Sequence, residues 1–191
     1  MASDLFEQVN KLMGTPLTRK EKPTGEKSEA EKTLLGAAVP AALAGIYHLA
    51  ASSEGANRIL NHLLNERHII ENPKNEGCVE FTFNSTSGDV VNKVAAYSGD
   101  TYAAAYDAIN EATSFAYRLL LRELVNDKLK ADDITRYMVA QRHSILSHLP
   151  ESLHLGHLLG DETLDDVSNK MDGPISTLMH NLGDSFSKAK R

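Results

Sequence analysis

Four histidines, His143, His148, His154 and His157, fall within 15 residues of one another. Imidazoles serve as metal ligands and as general acids or bases near neutral pH. His154 and His157 stand three apart, a spacing that puts two rings on one helical face. A tetrahedral zinc site needs two further ligands, for which His148 and Asp161 are the neighbours to hand. Against this reading, there is no His-Glu-x-x-His run and no cysteine pair, and Pro150 interrupts the stretch. The expectation is no metal and no cofactor. A metal- or small-ligand-binding module built on His148, His154 and His157 is the alternative. His62 and His68, around Glu66, form a weaker set.

Nucleophiles are fewer. Cys78 follows Gly77, but a reactive thiolate needs nearby positive charge, and its neighbours Glu76 and Glu80 are acids. Ser185 and Lys188 have a Ser/Lys spacing, in a polar tail with nothing to desolvate the amine. No Gly-x-Ser-x-Gly elbow and no glycine-rich phosphate loop occurs. Asp161–Asp172 is acidic but lacks the ligand spacing of a calcium loop. The expectation is a non-enzyme. An enzyme would show itself as a pocket where a carboxylate such as Glu111 meets a histidine.

The bulk composition narrows the partners. With 20 Lys and Arg against 26 Asp and Glu, the chain carries a formal charge of −6, which disfavours nucleic acid as a partner. Arg19, Lys20, Lys22 and Lys27 are offset by Glu21, Glu26, Glu29 and Glu31. A lone cysteine allows no intrachain disulfide and fits a reducing compartment. The first residues, MASDLFEQVNKLMG, hold acids and no long apolar run, unlike a secretory signal. Without such a signal, the sequon Asn84-Ser85-Thr86 reads as a chance match.

The elements that must position these groups are helical. Leu5, Val9 and Leu12 recur at helical spacing behind Ser3 or Asp4 as a cap. Residues 14–28 read as a linker. The uncharged run Thr33–Ser52 is apolar nearly all round and belongs at the centre of a fold, with Pro40 expected to kink or split it. It is long enough to span a membrane, but its Ala and Gly content and Pro40 favour a buried core helix. A helix over about Glu54–Arg67 follows, with Ile59, Leu60, Leu63 and Leu64 as its stripe. Val79–Phe83 alternates like a strand without a partner, so it reads as an extended connector or a helical turn. Further helices are expected at about 89–97, 100–113 and 115–130, then from Asp132 or Asp133 to Leu149, where Pro150 stops the chain. A short turn ends at Gly160. A last amphipathic helix carries Ile175, Leu178, Met179 and Leu182.

Two stretches resemble a known family. In LLGAAVPAALAGIYHLAASSEGANRILNHL, residues 34–63, a small-residue run with Gly36 and Pro40 leads a helix, and the turn Glu54-Gly55 follows. In MVAQRHSILSHLPESLHLGHLLG, residues 138–160, Gln141 precedes Leu149-Pro150 and the closing Leu158-Leu159-Gly160. Both are similar to bacterial YidB-like proteins and the related domain of unknown function nine hundred and thirty-seven. The resemblance implies a multihelical, cytoplasmic, bacterial protein and no defined reaction. The middle of the chain departs from the pattern: Ala112–Lys130 has no proline, and residues 69–86 look like an added connector.

The expected architecture is all-α, an array of about seven to nine helices around a Pro-kinked, Ala- and Leu-rich central helix. Its expected parts are a short helix at 1–13, a linker at 14–28, a helical domain at 29–160, and an acidic connector with an amphipathic helix at 161–191. The expected partner is a second copy or another protein. Leu43, Ile46, Tyr47, Leu153 and Leu158 are the expected contact residues, because Val39, Leu43, Ile46, Leu149, Leu153 and Leu158 look like more apolar surface than one small domain buries.

Overall fold

A computed structural model describes residues 4–14, 33–65, 77–124 and 129–165. The linker expected at residues 14–28 lies almost wholly outside them, and the C-terminal amphipathic helix does so entirely. Every described element is α-helical or a 3-10 turn: α1 Leu5–Leu12, α2 Leu34–Ala50, α3 Ser53–Asn65, α4 Cys78–Phe83, α5 Ser87–Ser98, α6 Tyr102–Leu124, α7 Ala131–His148 and α8 Leu155–Leu159. Three single 3-10 turns, Asn84–Thr86, Glu151–Leu153 and Glu162–Leu164, link or follow them. The fold is all-α, and no strand occurs among the described residues.

Local chemistry sets at least four of the eight described helix starts. Asp4 accepts the Glu7 amide at 3.2 Å and opens α1. Thr33 accepts the Gly36 amide at 3.0 Å and opens α2. Ser52 accepts the Gly55 amide at 3.0 Å and turns the chain into α3. At α7 the Lys130 amide donates to the Asp133 carboxylate at 2.9 Å. These side chains satisfy donors that the first helical turn leaves open.

α2 is the hub. From Ala37 to Ile46 every residue is buried. It packs most extensively on α6, then on α7 and α5, with α1, α3 and α4 completing the enclosure. A helix walled on so many sides needs no polar face, which is why its apolar residues run all round. Pro40 does not split it: the helix continues from Leu34 to Ala50. Gly45 permits the closest approach. A Cβ there would overlap the Phe83 ring and come within 3.0 Å of the Thr82 methyl. Gly36, by contrast, is exposed and has no such packing role.

Two middle segments differ from their sequence patterns. Val79–Phe83 lies in α4, where Thr82 and Phe83 cover Gly45. The two helices expected over 100–130 form a single one through Leu124, since nothing at 112–115 breaks it. There Thr113 donates back to the Ile109 carbonyl at 2.6 Å and Ser114 is buried.

α1 is seated in the core. Leu5 and Val9 are fully buried, and the Leu5 amide donates to the Gln141 side chain of α7 at 2.9 Å. Ser144 donates to Asp4 at 2.7 Å. Leu12, expected on the apolar face, points outward.

Candidate functional site

The core accounts for much of the expected contact surface. Leu43 and Ile46 are fully buried on α2, and Leu153 is buried in the turn after Pro150. They do not form a surface, a correction to the sequence reading. The apolar excess inferred from single residues is absorbed because six helices converge on α2. Tyr47 and Leu158 remain half-buried and reach the rim of the core.

The histidines are dispersed in role. His148 closes α7, its ring stacked on Phe6 of α1 at a centroid distance of 3.9 Å, with Nδ1 at 2.7 Å from the Ser144 carbonyl. His154 sits between a 3-10 turn and α8 in the left-handed region, φ 46°. His157 is exposed on α8. Among the described residues, no group of three or more His, Cys, Asp or Glu side chains is arranged to hold a metal ion. His148, His154 and His157 are not brought together as ligands, because Pro150 and the reversal at His154 send the chain in a new direction.

A denser cluster lies where α3, α4 and α6 meet. His62 of α3 stacks on Phe81 of α4 at 4.3 Å, and both present edges to Tyr117 of α6 at 5.1 and 5.7 Å. Arg58 spans this corner. Its guanidinium donates to the Phe81 carbonyl at 3.2 Å and to the Asn84 side chain at 3.0 Å, and it lies 5.3 Å from the Phe81 ring centre. Asn84 holds φ 50° with ψ −127°, the backbone of the first central residue of a type II′ turn, a position that glycine favours most. Beneath them, the hydroxyls of Thr82 and Tyr117 share a buried hydrogen bond of 2.9 Å. Burial pushes the Tyr117 phenol well above its ordinary range, against the hydrogen bond from Thr82, which pulls the other way. Cys78 adjoins this cluster and is buried. Tyr117 is a neutral, enclosed hydroxyl, so the cluster locks three helices together.

This cluster was not visible in the sequence. Residues 58, 62, 81, 82 and 117 lie on three helices, and no spacing rule joins them. The strand-like alternation of Val79–Phe83 gave no signal of it, since Phe81 and Thr82 both meet Tyr117.

Glu111, named as the carboxylate of a possible enzymatic pocket, is exposed on α6. A cleft of ≈ 290 Å³ is lined by Lys93, Ala96, Tyr97 and Ser152, between α5 and the turn after Pro150. No single described helix is long and apolar enough to cross a membrane; α2 and α3 would qualify only as a pair bent by 114°.

The chain matches no family model, no curated protein and no solved structure.

Proposed function

We propose that this is a non-enzymatic helical protein that acts through protein–protein contact, as a self-associating molecule or an assembly subunit. The observation that carries the reading is on α7. Val139 is 54% exposed, next to exposed Ala140 and between exposed Arg136 and His143. A β-branched apolar side chain held in water on a helix surface is available for burial. Asp132 and Arg136 give the exposed part of α7 both signs of charge, which suits pairing with a second copy of the same surface. Half-buried Leu158 and Tyr47 keep a place in the reading as rim residues.

The family reading belongs here too: a bacterial, cytoplasmic protein of the YidB-like kind. It is supported by the packing of the two resembling stretches on each other, since α2 and α3, in the first stretch, both lie against α7, whose second half opens the other.

The test is absolute mass by light scattering across a concentration range, on the wild type and on Val139→Lys. The expected result is concentration-dependent association in the wild type, weakened by at least about tenfold in the variant, with helix content unchanged. A wild type that stays monomeric at every concentration overturns self-association. Leu153→Lys is unsuitable as a probe, because Leu153 is core.

A further inference from the structure

Four side chains of α7, Tyr137, Gln141, Ser144 and His148, recur at intervals of four, three and four residues. That spacing sets them on one face of the helix. All four are polar, and α1 is what they meet. Gln141 accepts the Leu5 amide at 2.9 Å, Ser144 donates to the Asp4 carboxylate at 2.7 Å, and the His148 ring stacks on Phe6. Burial pushes the Tyr137 phenol above its ordinary range, and the Glu123 and Asp4 carboxylates add to the push while Arg122 opposes it. The phenol therefore stands beside the α1 cap. Arg122 of α6 makes a further polar tie, to Gln8 at 2.6 Å. Elsewhere on α7, Ile134, Met138 and Ile145 are apolar and fully buried. The side toward α1 is built differently, from groups that water solvates well.

The Tyr137 hydroxyl sharpens the contrast. It is shielded from solvent and, among the described residues, has no hydrogen-bond partner. A hydroxyl in that position destabilises the closed arrangement and is relieved when water reaches it.

We propose that α1 is a releasable strap, which leaves its polar seat on α7 and returns to it as one unit while the other helices stay packed. Fully buried Leu5 and Val9 hold the closed state. The rest of the molecule does not need α1, since α2 packs directly on α5, α6 and α7, and α3 packs on α7. Eight residues do not sustain a helix alone, so leaving the seat and losing the helix are one event. The chain numbered 15–32 joins α1 to α2. At about 3.3 Å per residue it is long enough for α1 to clear its seat without moving α2. Release bares Leu5, Phe6 and Val9 together with the parts of α2 and α6 beneath α1, an apolar surface that exists only in the open state. This inference does not depend on the Val139 contact.

The test is native-state hydrogen exchange of the full chain across low urea concentrations. The Leu5 amide is bonded to Gln141, and the Gln8 and Met13 amides are bonded within α1. The expected result is one shared protection factor for these three, at least about tenfold below that of the α2 core amides and nearly independent of urea. Protection equal to that of α2, with the same urea dependence, overturns the strap, because α1 then opens only when the whole protein does. Protection that climbs residue by residue from Leu5 to Met13 overturns it too, because that is fraying of a chain end. Tyr137→Phe deletes the stranded hydroxyl and keeps the ring, so protection across α1 should rise at least about fivefold. An unchanged or lower value in this variant also overturns the proposal.

Discussion

Thr82 and Tyr117 meet in the buried core, where each hydroxyl is shielded from solvent. Removing the threonine hydroxyl leaves a phenol stranded among apolar groups, and such orphans cost about 1–3 kcal/mol. Thr82→Val should destabilise the protein by that amount in urea unfolding, while Thr82→Ser should cost less because it keeps the hydroxyl. The same phenol makes stability fall at alkaline pH. Burial holds its proton beyond the ordinary tyrosine range, whereas the unfolded chain releases it near pH 10. Above about pH 10 the folded state thus binds more protons than the unfolded one, and stability declines as pH climbs. Below it, this contribution is intact. The slope of unfolding free energy between about pH 9.5 and 11 should be shallower in Tyr117→Phe than in the wild type, measured at equal ionic strength.

Among the elements, the short α8 shows how much a remote carboxylate can do. Five residues cannot sustain a helix by propensity, and Asp165 serves the Gly156 and His157 amides from beyond its C-terminus. Gly156 makes room for this, since a Cβ there would sit 2.8 Å from the Asp165 carboxyl carbon and 2.6 Å from the Asp161 carbonyl oxygen. Asp165→Ala should cost about 0.5–2 kcal/mol, with the loss of amide protection confined to the segment after Pro150. Much at this scale was legible in advance. The Asp4 cap and the stop at Pro150 are each written within a few residues, so local rules suffice; the cap of α7 is Lys130 rather than Asp132 or Asp133, with Asp133 reaching back from the first turn. α4 was ambiguous because six residues cannot establish a period; its helix follows from how Thr82 and Phe83 fill the space above Gly45. α6 runs unbroken where two helices were expected, and Thr113 folds its hydroxyl back onto the preceding turn.

In the whole molecule, the all-α class and the central place of α2 were readable, since an uncharged helix with no polar face has to be enclosed. The contact residues were not. Leu43, Ile46 and Leu153 looked surplus when counted one at a time, but burial is decided by how many helices converge. Single-sequence reading gives no access to that number. Val139 is the converse case: a valine between Met138 and Ala140 reads as core until its helix is seen turned outward. The light-scattering comparison of the wild type with Val139→Lys belongs to this scale, because it asks what the assembled surface does.

The seat of α1 has a consequence for how the protein is made. Its Leu5 amide pairs with Gln141, 136 residues further along. At about 5–20 residues per second, translation needs roughly 7–27 s to bring that partner out after α1 itself. During this interval α1 has α2 and then α6 to pack on but lacks the α7 surface that completes its seat. α1 is therefore the first described helix to leave the ribosome yet is fully seated only once α7 follows, and until then part of its apolar face is open to a chaperone.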